Sequence, residues 1–356
     1  MCKIFLSFDF YGAGNLGDDL MLEGFITAFE KTKAEFFCYV PRVYTHQKYR
    51  FPGINFIDRS EYDKISSECD VWIGVGDTPV QIKSGRWFLD RLNMVSEFKS
   101  RYGFKYFFTG VGVEKEALEM KDEFRKILSE VDHIWTRDAA STELLINNFQ
   151  TDNVKVTTSS DLANISLEQI FNIDKYNIQN RLYNLGVCYY DENIDAADLN
   201  NLYRFLKSLK NKNVLLFGND VNTKGKFEYY LYNSIFSGYR KYFKGKIKLF
   251  FPDYFSEIST GNMLCHFSEC STVMTSRYHA MLTAAWAGCR VVSLERSSKV
   301  TALAEELGIN EVKKPFTKDK LEIAYNEAST VSREKLLSLS VKASEGLNEL
   351  KDLIHV

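Results

Sequence analysis

The chain has 356 residues, of which 45% are hydrophobic and 26% are charged, and its formal net charge at pH 7 is −2. This length predicts roughly two domains of ordinary size, and the composition is that of a folded globular protein. Because the charge is nearly balanced, the sequence lacks the broad basic surface that nucleic-acid binding requires.

The seven cysteines are scattered and include no Cys-x-x-Cys pair. We therefore expect neither a disulfide framework nor a zinc site, and the pattern fits a reducing cytoplasm. No metal-ligand cluster is visible, so neither a metal nor a cofactor is expected. No apolar run reaches the roughly 18 residues of a membrane span, and MCKIFLSFDF reads as a first strand. Membrane contact is therefore expected to be at most peripheral, at the inner face. The oligomeric state is left open.

The first structural unit is a strand, a glycine-rich turn and a helix. Lys3–Phe10 predicts the strand, and Leu20–Lys31 has the periodicity of an amphipathic helix. The turn between them has the order of a ligand-binding loop, but its glycine spacing is neither a dinucleotide fingerprint nor a P-loop. Its candidate residues are Gly14, Asn15, Gly17 and Asp18. Asp18 alone is also suited to capping the helix.

The rest of the first half alternates apolar strands with helices. The predicted strands are Glu35–Val40, Cys69–Val75, Tyr106–Thr109, a short strand ending at Arg137, and Val154–Ser160. Two strand ends open into glycine loops, in which Asp77 and Gly112 are candidates for contact with a ligand. For Asp77 a simple turn is favoured over a ligand contact. His46 is predicted to lie on the surface and His133 in the core.

A polar segment, Asn164–Leu182, is predicted to link two domains. The second half then repeats the alternation of strands and helices. Its predicted strands include Gly186–Tyr190, Val214–Gly218 and Ile247–Phe251, and a tyrosine-rich helix is predicted near 227–242. His266 is expected to be an ordinary residue on a helix face.

The most informative stretch is 272–300, which predicts a strand, a helix and a second strand. The helix, Ala280–Ala287, follows the polar turn that carries Ser276, Arg277 and His279. Ligands of open parallel sheets bind at the carboxyl ends of strands. A helix N-terminus there favours negative charge, and an added Arg and His favour it further. The turn is therefore predicted to bind an anion.

This stretch resembles the C-terminal signature of the polysaccharide pyruvyl transferases, with Ser276, Arg277, His279, Lys299 and Val300 in matching positions. The glycine turn of residues 14–18 resembles the N-terminal pattern of the same family. Two segments depart from it. Glu295-Arg296-Ser297-Ser298 stands where the family often has a Tyr-Asp-Pro run, and Gly74-Val75-Gly76 stands in place of a glycine triplet.

The resemblance implies an α/β fold with two Rossmann-like domains facing across a cleft, similar to type B glycosyltransferases. It implies transfer of the enolpyruvyl carbons of phosphoenolpyruvate, as co-substrate, onto two sugar hydroxyls to give a pyruvate ketal. Arg137, Arg277 and Ser276 would bind this donor, His279 would move protons, and Asp18 would act on the acceptor. The acceptor would be a sugar, an oligosaccharide or a lipid-linked glycan of exopolysaccharide, capsule or cell-wall synthesis. Acceptor contacts are expected at Asn15, Gly14, Gly17, Asp77 and Gly112.

The expected domains are 1–165 on the acceptor side with part of the donor site, 183–320 on the donor side, and closing helices in 321–356. Two other functions stay open. A type B glycosyltransferase would place a nucleotide diphosphate at Arg277 and His279 and a ribose at Glu295. An inactive sugar-binding relative would account for the two departures from the family pattern, although it would not need both Arg137 and His279.

Overall fold

A computed structural model describes residues 2–43, 45–83, 85–149, 154–171, 181–190, 195–209, 211–219 and 247–356. The predicted tyrosine-rich helix near 227–242 lies outside the described residues, as do residues 172–180 of the predicted linker.

The chain folds into two compact units. The first contains Met1–Gly12, Asp18–Ser166 and Leu337–Val356, and the second contains Ala13–Gly17 and Leu167–Leu336. The short segment Ala13–Gly17 therefore belongs to the second unit, although both of its neighbours in sequence belong to the first. Residues 321–356, expected to form the closing helices, are divided between the units at Leu337.

The first unit is built on one parallel sheet. Its strands are β1 (Cys2–Leu6), β2 (Ala34–Tyr39), β3 (Ile54–Ile57), β4 (Val71–Val75), β5 (Lys105–Val111), β6 (His133–Thr136) and β7 (Lys155–Thr158). They lie in the order β3-β2-β1-β4-β5-β6-β7. Strands buried on both faces need apolar side chains on both faces, and Ile4, Phe5 and Leu6 of β1 are fully buried. The order reverses between β1 and β4, so the carboxyl end of β1 is the sheet's topological switch point.

The second unit has a similar sheet. Its strands are β8 (Leu185–Cys188), β9 (Val214–Phe217), β10 (Ile247–Phe250), β11 (Thr272–Thr275), β12 (Arg290–Leu294), β13 (Glu311–Val312) and β14 (Ser329–Thr330). The parallel strands lie in the order β10-β9-β8-β11-β12-β13, and β14 pairs antiparallel with β12. Here the order reverses between β8 and β11, and the polar turn that carries Arg277 follows β11.

The helices are α1 (Leu16–Phe29), α2 (Thr45–Arg50), α3 (Tyr62–Ser67), α4 (Trp87–Tyr102), α5 (Lys121–Leu128), α6 (Ala139–Leu144), α7 (Ala163–Ile170), α8 (Ala196–Ser208), α9 (Thr260–Ser268), α10 (Tyr278–Trp286), α11 (Ser298–Leu307), α12 (Lys318–Glu327) and α13 (Arg333–Ile354). Shorter 3-10 segments occupy Arg59–Glu61 and Lys115–Met120, and a π-helical segment occupies Leu145–Phe149. None of the helices described is both long and apolar enough to cross a bilayer.

Two parallel sheets with helical connections confirm the predicted α/β class with two Rossmann-like domains. Helix α10 shows why its sequence is rich in small residues. Ala280, Met281, Leu282 and Ala284 are all fully buried, so this helix packs closely on its sheet and on its other neighbours.

The histidines test how far residue type alone predicts burial. His133 is buried and its ring stacks on Trp135 with the centroids 3.7 Å apart, which confirms the predicted core position. His266 is also buried, between the rings of Phe217, Phe250 and Phe267. Burial lowers the pKa of His133 to about 4 and that of His266 to about 3, so both rings are neutral at pH 7.

Candidate functional site

The turn after β1 is shaped by Asn15 and Gly14. Asn15 Oδ1 accepts a hydrogen bond from the backbone N–H of Gly17 at 3.0 Å, which is an N-cap contact. Helix α1 therefore begins at Leu16 and not at Leu20 as predicted. Gly14 has a φ of +114°, a conformation that a residue with a Cβ rarely adopts. These contacts explain the local sequence, and contact of either residue with an acceptor stays a prediction.

Gly17 packs directly against the ring of His279 within the second unit. A Cβ atom on Gly17 would lie 2.0 Å from His279 Nδ1 and 2.5 Å from its Cγ. The preceding Leu16 N–H donates to the carbonyl of Asn219 at 3.3 Å, which holds this part of the turn next to the end of β9. Only glycine fits at position 17, so the N-terminal glycine turn and the predicted catalytic histidine meet.

A buried ion pair anchors the start of the same turn in the first unit. Arg50 Nη1 lies 3.2 Å from Asp19 Oδ2, and neither side chain is more than 1% exposed. Asp19 Oδ1 also accepts a hydrogen bond from the Gly12 N–H at 3.1 Å. The sequence pattern pointed to Asp18 and not to Asp19, because the partner on α2 is distant in sequence. Asp18 is buried too.

The surface position predicted for His46 is wrong. Its ring is 1% exposed, and Nε2 lies 3.2 Å from the carbonyl oxygen of Gly12. The next residue, Gln47, donates from Nε2 to the carbonyl of Tyr11 at 2.7 Å. Helix α2 thus packs on the start of the turn. Its polar side chains are buried because they bond to the backbone carbonyls of the turn.

Arg137 is buried in a polar cluster at the carboxyl edge of the first sheet. Its Nη2 donates to Thr78 Oγ1 at 3.2 Å. Its guanidinium also lies 3.6 Å from an oxygen of Asp138 and 3.8 Å from an oxygen of Asp161. A Cβ on Gly112 would come 2.6 Å from Nη2, so this glycine makes room for the arginine. The salt bridges of Arg137 are thus interior, and not on the surface.

Asp77 belongs to the same cluster through its backbone. Its φ is +58°, which is uncommon for a residue with a side chain. Its carbonyl oxygen accepts hydrogen bonds from Gly112 N–H at 2.7 Å and from Arg137 Nη1 at 3.5 Å. The favoured interpretation as a turn therefore agrees with the backbone. The structure brings together Asp77, Gly112 and Arg137, three of the residues that the sequence singled out.

The segment Gly74-Val75-Gly76, which stands in place of the family's glycine triplet, can be explained by packing. A Cβ on Gly74 would come 2.6 Å from the rings of both Phe8 and Phe108. Gly76 has a φ of +70°, and a Cβ there would come 2.5 Å from Met21 Sδ. Glycine is thus needed at both positions by the interior of the first unit, and Val75 between them is a buried strand residue.

Ser276 fixes the turn after β11. Its buried hydroxyl donates to the carbonyl of Tyr190 at 2.7 Å and accepts from the N–H of Tyr190 at 2.8 Å. The hydroxyl therefore acts as both a donor and an acceptor, and the two hydrogen bonds join the end of β8 to the turn. This is a positioning role, and direct contact of Ser276 with a donor stays a prediction.

Two arginines gather at the ring of Tyr190. Arg277 Cζ lies 4.1 Å from the ring centroid, and Arg296 Cζ lies 4.8 Å from it. Both arginines are half-buried. The sequence predicted a role for Arg277, but it showed Arg296 only as part of a departure from the family pattern. No local signal links Tyr190 to either arginine, because three separate strand ends supply them.

Glu295, the ribose candidate of the glycosyltransferase hypothesis, is engaged by the segment after β13. Its Oε2 accepts a hydrogen bond from the N–H of Lys314 at 2.7 Å, and its Oε1 lies 3.6 Å from Lys313 Nζ. Across the described ranges, no group of three or more His, Cys, Asp and Glu residues is placed to hold a metal ion.

The chain matches the model of a known protein family. A family model described as Polysaccharide pyruvyl transferase matches residues 15–298, a range that contains the glycine turn as well as Arg277 and His279. No curated protein matches the chain.

Solved structures with low sequence identity share the fold. A putative UDP-N-acetylglucosamine 2-epimerase from Listeria monocytogenes has a TM-score of 0.64 at 11% identity, covering 99% of this chain and 95% of the other. S. aureus MnaA with UDP has a TM-score of 0.63 at 13% identity, with coverages of 100% and 97%. Anabaena HepE with UDP-glucose has a TM-score of 0.57 at 11% identity, with coverages of 100% and 98%. These similarities establish the fold type of type B glycosyltransferases and epimerases.

Proposed function

The chain belongs to the polysaccharide pyruvyl transferase family, and we propose that it transfers the enolpyruvyl carbons of phosphoenolpyruvate onto two hydroxyls of one sugar. The product is a cyclic pyruvate ketal on an exopolysaccharide, capsule or cell-wall glycan precursor. The observation that carries the proposal is the contact between Gly17 and His279. It joins the two sequence signatures at one imidazole, beside the cation Arg277.

The proposed reaction makes two bonds at one carbon of the donor. A proton adds to the methylene carbon, and the neighbouring carbon acquires oxocarbenium character. One sugar hydroxyl attacks that carbon, the bond to the phosphate oxygen breaks, and the second hydroxyl completes the ketal. Of the two protons released by the hydroxyls, one balances the new methyl group and the other leaves with the phosphate.

His279 is proposed to move these protons. A histidine side chain can both give and accept a proton, which is what the two halves of the reaction require. Gly17 restricts the position of the ring from one side, since the His279 Nδ1 edge lies against the glycine. Restricting a catalytic group in this way lowers the entropy lost on reaching the transition state.

Arg277 is proposed to bind an anionic group of the donor. A guanidinium can form two parallel hydrogen bonds with a carboxylate or a phosphate. Its stacking on Tyr190 at 4.1 Å limits the directions in which the guanidinium can point. Asp18 is proposed to contact the acceptor; it is the residue that follows Gly17 in the chain.

The proposal is tested with phosphoenolpyruvate and a panel of oligosaccharide and lipid-linked acceptors. Expected products are inorganic phosphate and a glycan whose mass increases by pyruvate less one water. Acceptors in which one of the two hydroxyls is methylated should give no ketal. His279→Ala should retain donor binding and lose turnover, because general acid–base catalysis contributes about 10²–10⁴-fold. Turnover by His279→Ala at the wild-type rate would remove the proton-transfer role.

The competing function is a nucleotide-sugar glycosyltransferase, because S. aureus MnaA and Anabaena HepE, two proteins of similar fold, were solved with UDP and with UDP-glucose. The same assay should therefore include UDP-glucose and UDP-N-acetylglucosamine as donors. Glycosyl transfer from either one, without any reaction of phosphoenolpyruvate, would overturn the pyruvyl transferase proposal.

A further inference from the structure

We propose that Phe10 and Trp87 form an aromatic platform that stacks on a neutral sugar ring of the acceptor. This inference rests on the proposed function, since it names how the acceptor of that reaction is held. Phe10 follows β1, and Trp87 is the first residue of α4, the helix that follows β4. The order of the first sheet reverses between β1 and β4, and ligands of such sheets bind outside the carboxyl ends of the strands at the reversal.

The platform is the outer part of a cluster of aromatic rings. The centroid of the Phe10 ring lies 6.1 Å from that of Trp87, and the two centroids lie 5.9 Å and 4.4 Å from the ring of Phe88. Phe8, whose ring stacks on Phe10, is buried, and so is Phe88. Phe10 is half-buried, and Trp87 is 41% exposed. The inner rings therefore fix the outer two, which present a flat apolar surface to the solvent.

Trp87 differs from the other tryptophans of the chain. All four tryptophans lie in the described ranges, and Trp72, Trp135 and Trp286 are at most 3% exposed. A single exposed aromatic side chain needs no explanation by itself. Trp87, however, stands beside Phe10 at the point of the sheet where a ligand is expected, and this position is what indicates a binding role.

The charges next to the platform favour a neutral ligand. The loop between β4 and α4 carries two cations, Lys83 and Arg86. Arg86 lies 2.9 Å from Glu123 and 3.7 Å from Asp90, and Lys83 lies 3.0 Å from Glu116. Both cations are thus matched by carboxylates of the first unit. The platform is therefore suited to an uncharged ring and not to the anionic donor.

A pyranose ring has the complementary chemistry. Its faces carry C–H groups, and its rim carries hydroxyls. The face of an aromatic ring is negative and attracts C–H groups, and the contact removes apolar surface of both rings from water. Two hydroxyls of the acceptor must stay accessible in the proposed reaction. Stacking holds the sugar by its face and leaves these hydroxyls available.

The test is the steady-state kinetics of Trp87→Leu and Trp87→Phe with phosphoenolpyruvate and the acceptor. The matched control is Tyr102→Leu, because Tyr102 is the last residue of α4 and is 36% exposed. Helix α4 connects two parallel strands, so Tyr102 lies at the opposite edge of the sheet. We expect the KM for the acceptor to rise about tenfold in Trp87→Leu with kcat unchanged, because stacking acts equally in the ground state and the transition state. Trp87→Phe should recover most of the loss, and Tyr102→Leu should match the wild type.

Iodide quenching of tryptophan emission gives a second readout that needs no turnover, since the other three tryptophans are buried. The probes are the methyl glycosides of glucose, galactose, mannose and N-acetylglucosamine. At least one of them should protect Trp87 from iodide in the wild type. Calorimetric titration of the same glycoside should show binding to the wild type and to Tyr102→Leu, and its loss in Trp87→Leu.

The two readouts allow the platform and the proposed function to fail separately. Equal KM for the acceptor in the wild type and Trp87→Leu would overturn the platform and leave the proposed function standing. Protection of Trp87 by a glycoside, without any transfer from phosphoenolpyruvate, would support the platform and overturn the proposed function. Protection by phospholipid vesicles alone, with none by the glycosides, would assign the exposed ring to a membrane surface and overturn the sugar platform.

Discussion

Gly17 and His279 are in direct contact, although they lie at opposite ends of the sequence. A side chain as small as a methyl group at position 17 would come 2.0 Å from the imidazole. The glycine turn is thus more than a flexible connection between a strand and a helix, because it forms one wall around the histidine. This contact explains why a glycine stands inside the first turn of α1, where alanine would favour the helix.

Gly17→Ala is therefore expected to displace His279. We predict a loss of turnover of at least tenfold, while alanine's better helix propensity, worth about 1 kcal/mol, offsets part of the packing cost. The matched control is Gly53→Ala, whose new methyl would meet only Ile26 Cγ2 at 3.7 Å. Steady-state kinetics and thermal unfolding of both variants measure the effect. An active Gly17→Ala enzyme would show that the position of the ring does not matter.

Asp19→Asn is expected to destabilise the first unit. The change removes the carboxylate charge that faces the buried guanidinium of Arg50, and breaking a buried ion pair from one side costs about 3 kcal/mol or more. Urea unfolding measures the loss. The control is Glu68→Gln, which removes a partner from the surface ion pair with Lys3 and should change stability little. Equal stability of the two variants would contradict the anchoring role of Asp19.

Asp77 offers a test that separates stability from activity. Its φ of +58° is unfavourable for a residue with a side chain, so Asp77→Gly should stabilise the fold by up to about 1 kcal/mol. If the carboxylate contacts the acceptor, the same variant and Asp77→Asn should both lose turnover. Unchanged activity in both would leave Asp77 as a turn residue only. A less stable Asp77→Gly protein would argue against strain at this position.

Acid should destabilise the second unit through His266. Burial lowers its pKa to about 3 in the folded protein, whereas an unfolded histidine titrates near pH 6.5. Its contribution to stability is complete above about pH 6.5 and is lost as the pH falls towards 3, by about 2 kcal/mol at pH 5. His266→Phe fits the surrounding phenylalanines and should flatten this dependence in unfolding experiments between pH 7 and 5. The same slope in the variant and the wild type would assign the pH dependence to other groups.

The order of strands and helices was readable because buried parallel strands leave apolar runs, and glycines and polar turns separate them. The positions of Arg277 and His279 followed from the rule that ligand sites lie at strand ends. The support around the start of the glycine turn in the first unit was not readable. His46 sits in a polar stretch yet is buried, and the partner of Asp19 lies on another helix. Such contacts depend on the packing of separate elements, which no local pattern records.

Arg296 shows the same limit within the site. In sequence it belongs to a short polar run that departs from the family pattern, and neither its charge nor its spacing points to Tyr190. Only the parallel arrangement of β8, β11 and β12 brings the ring and the two arginines together. Sequence patterns therefore singled out Arg277, whereas the place of Arg296 beside the same ring needed the tertiary structure.

Donor identity is the central claim, and thermal unfolding with added ligand tests it without knowledge of the acceptor. Phosphoenolpyruvate at a hundred times its Kd should stabilise the wild type by about 2.7 kcal/mol, and Arg277→Ala should abolish this effect. UDP and GDP should leave the unfolding temperature of both proteins unchanged. Stabilisation by UDP or GDP alone, with no response to phosphoenolpyruvate, would contradict the account.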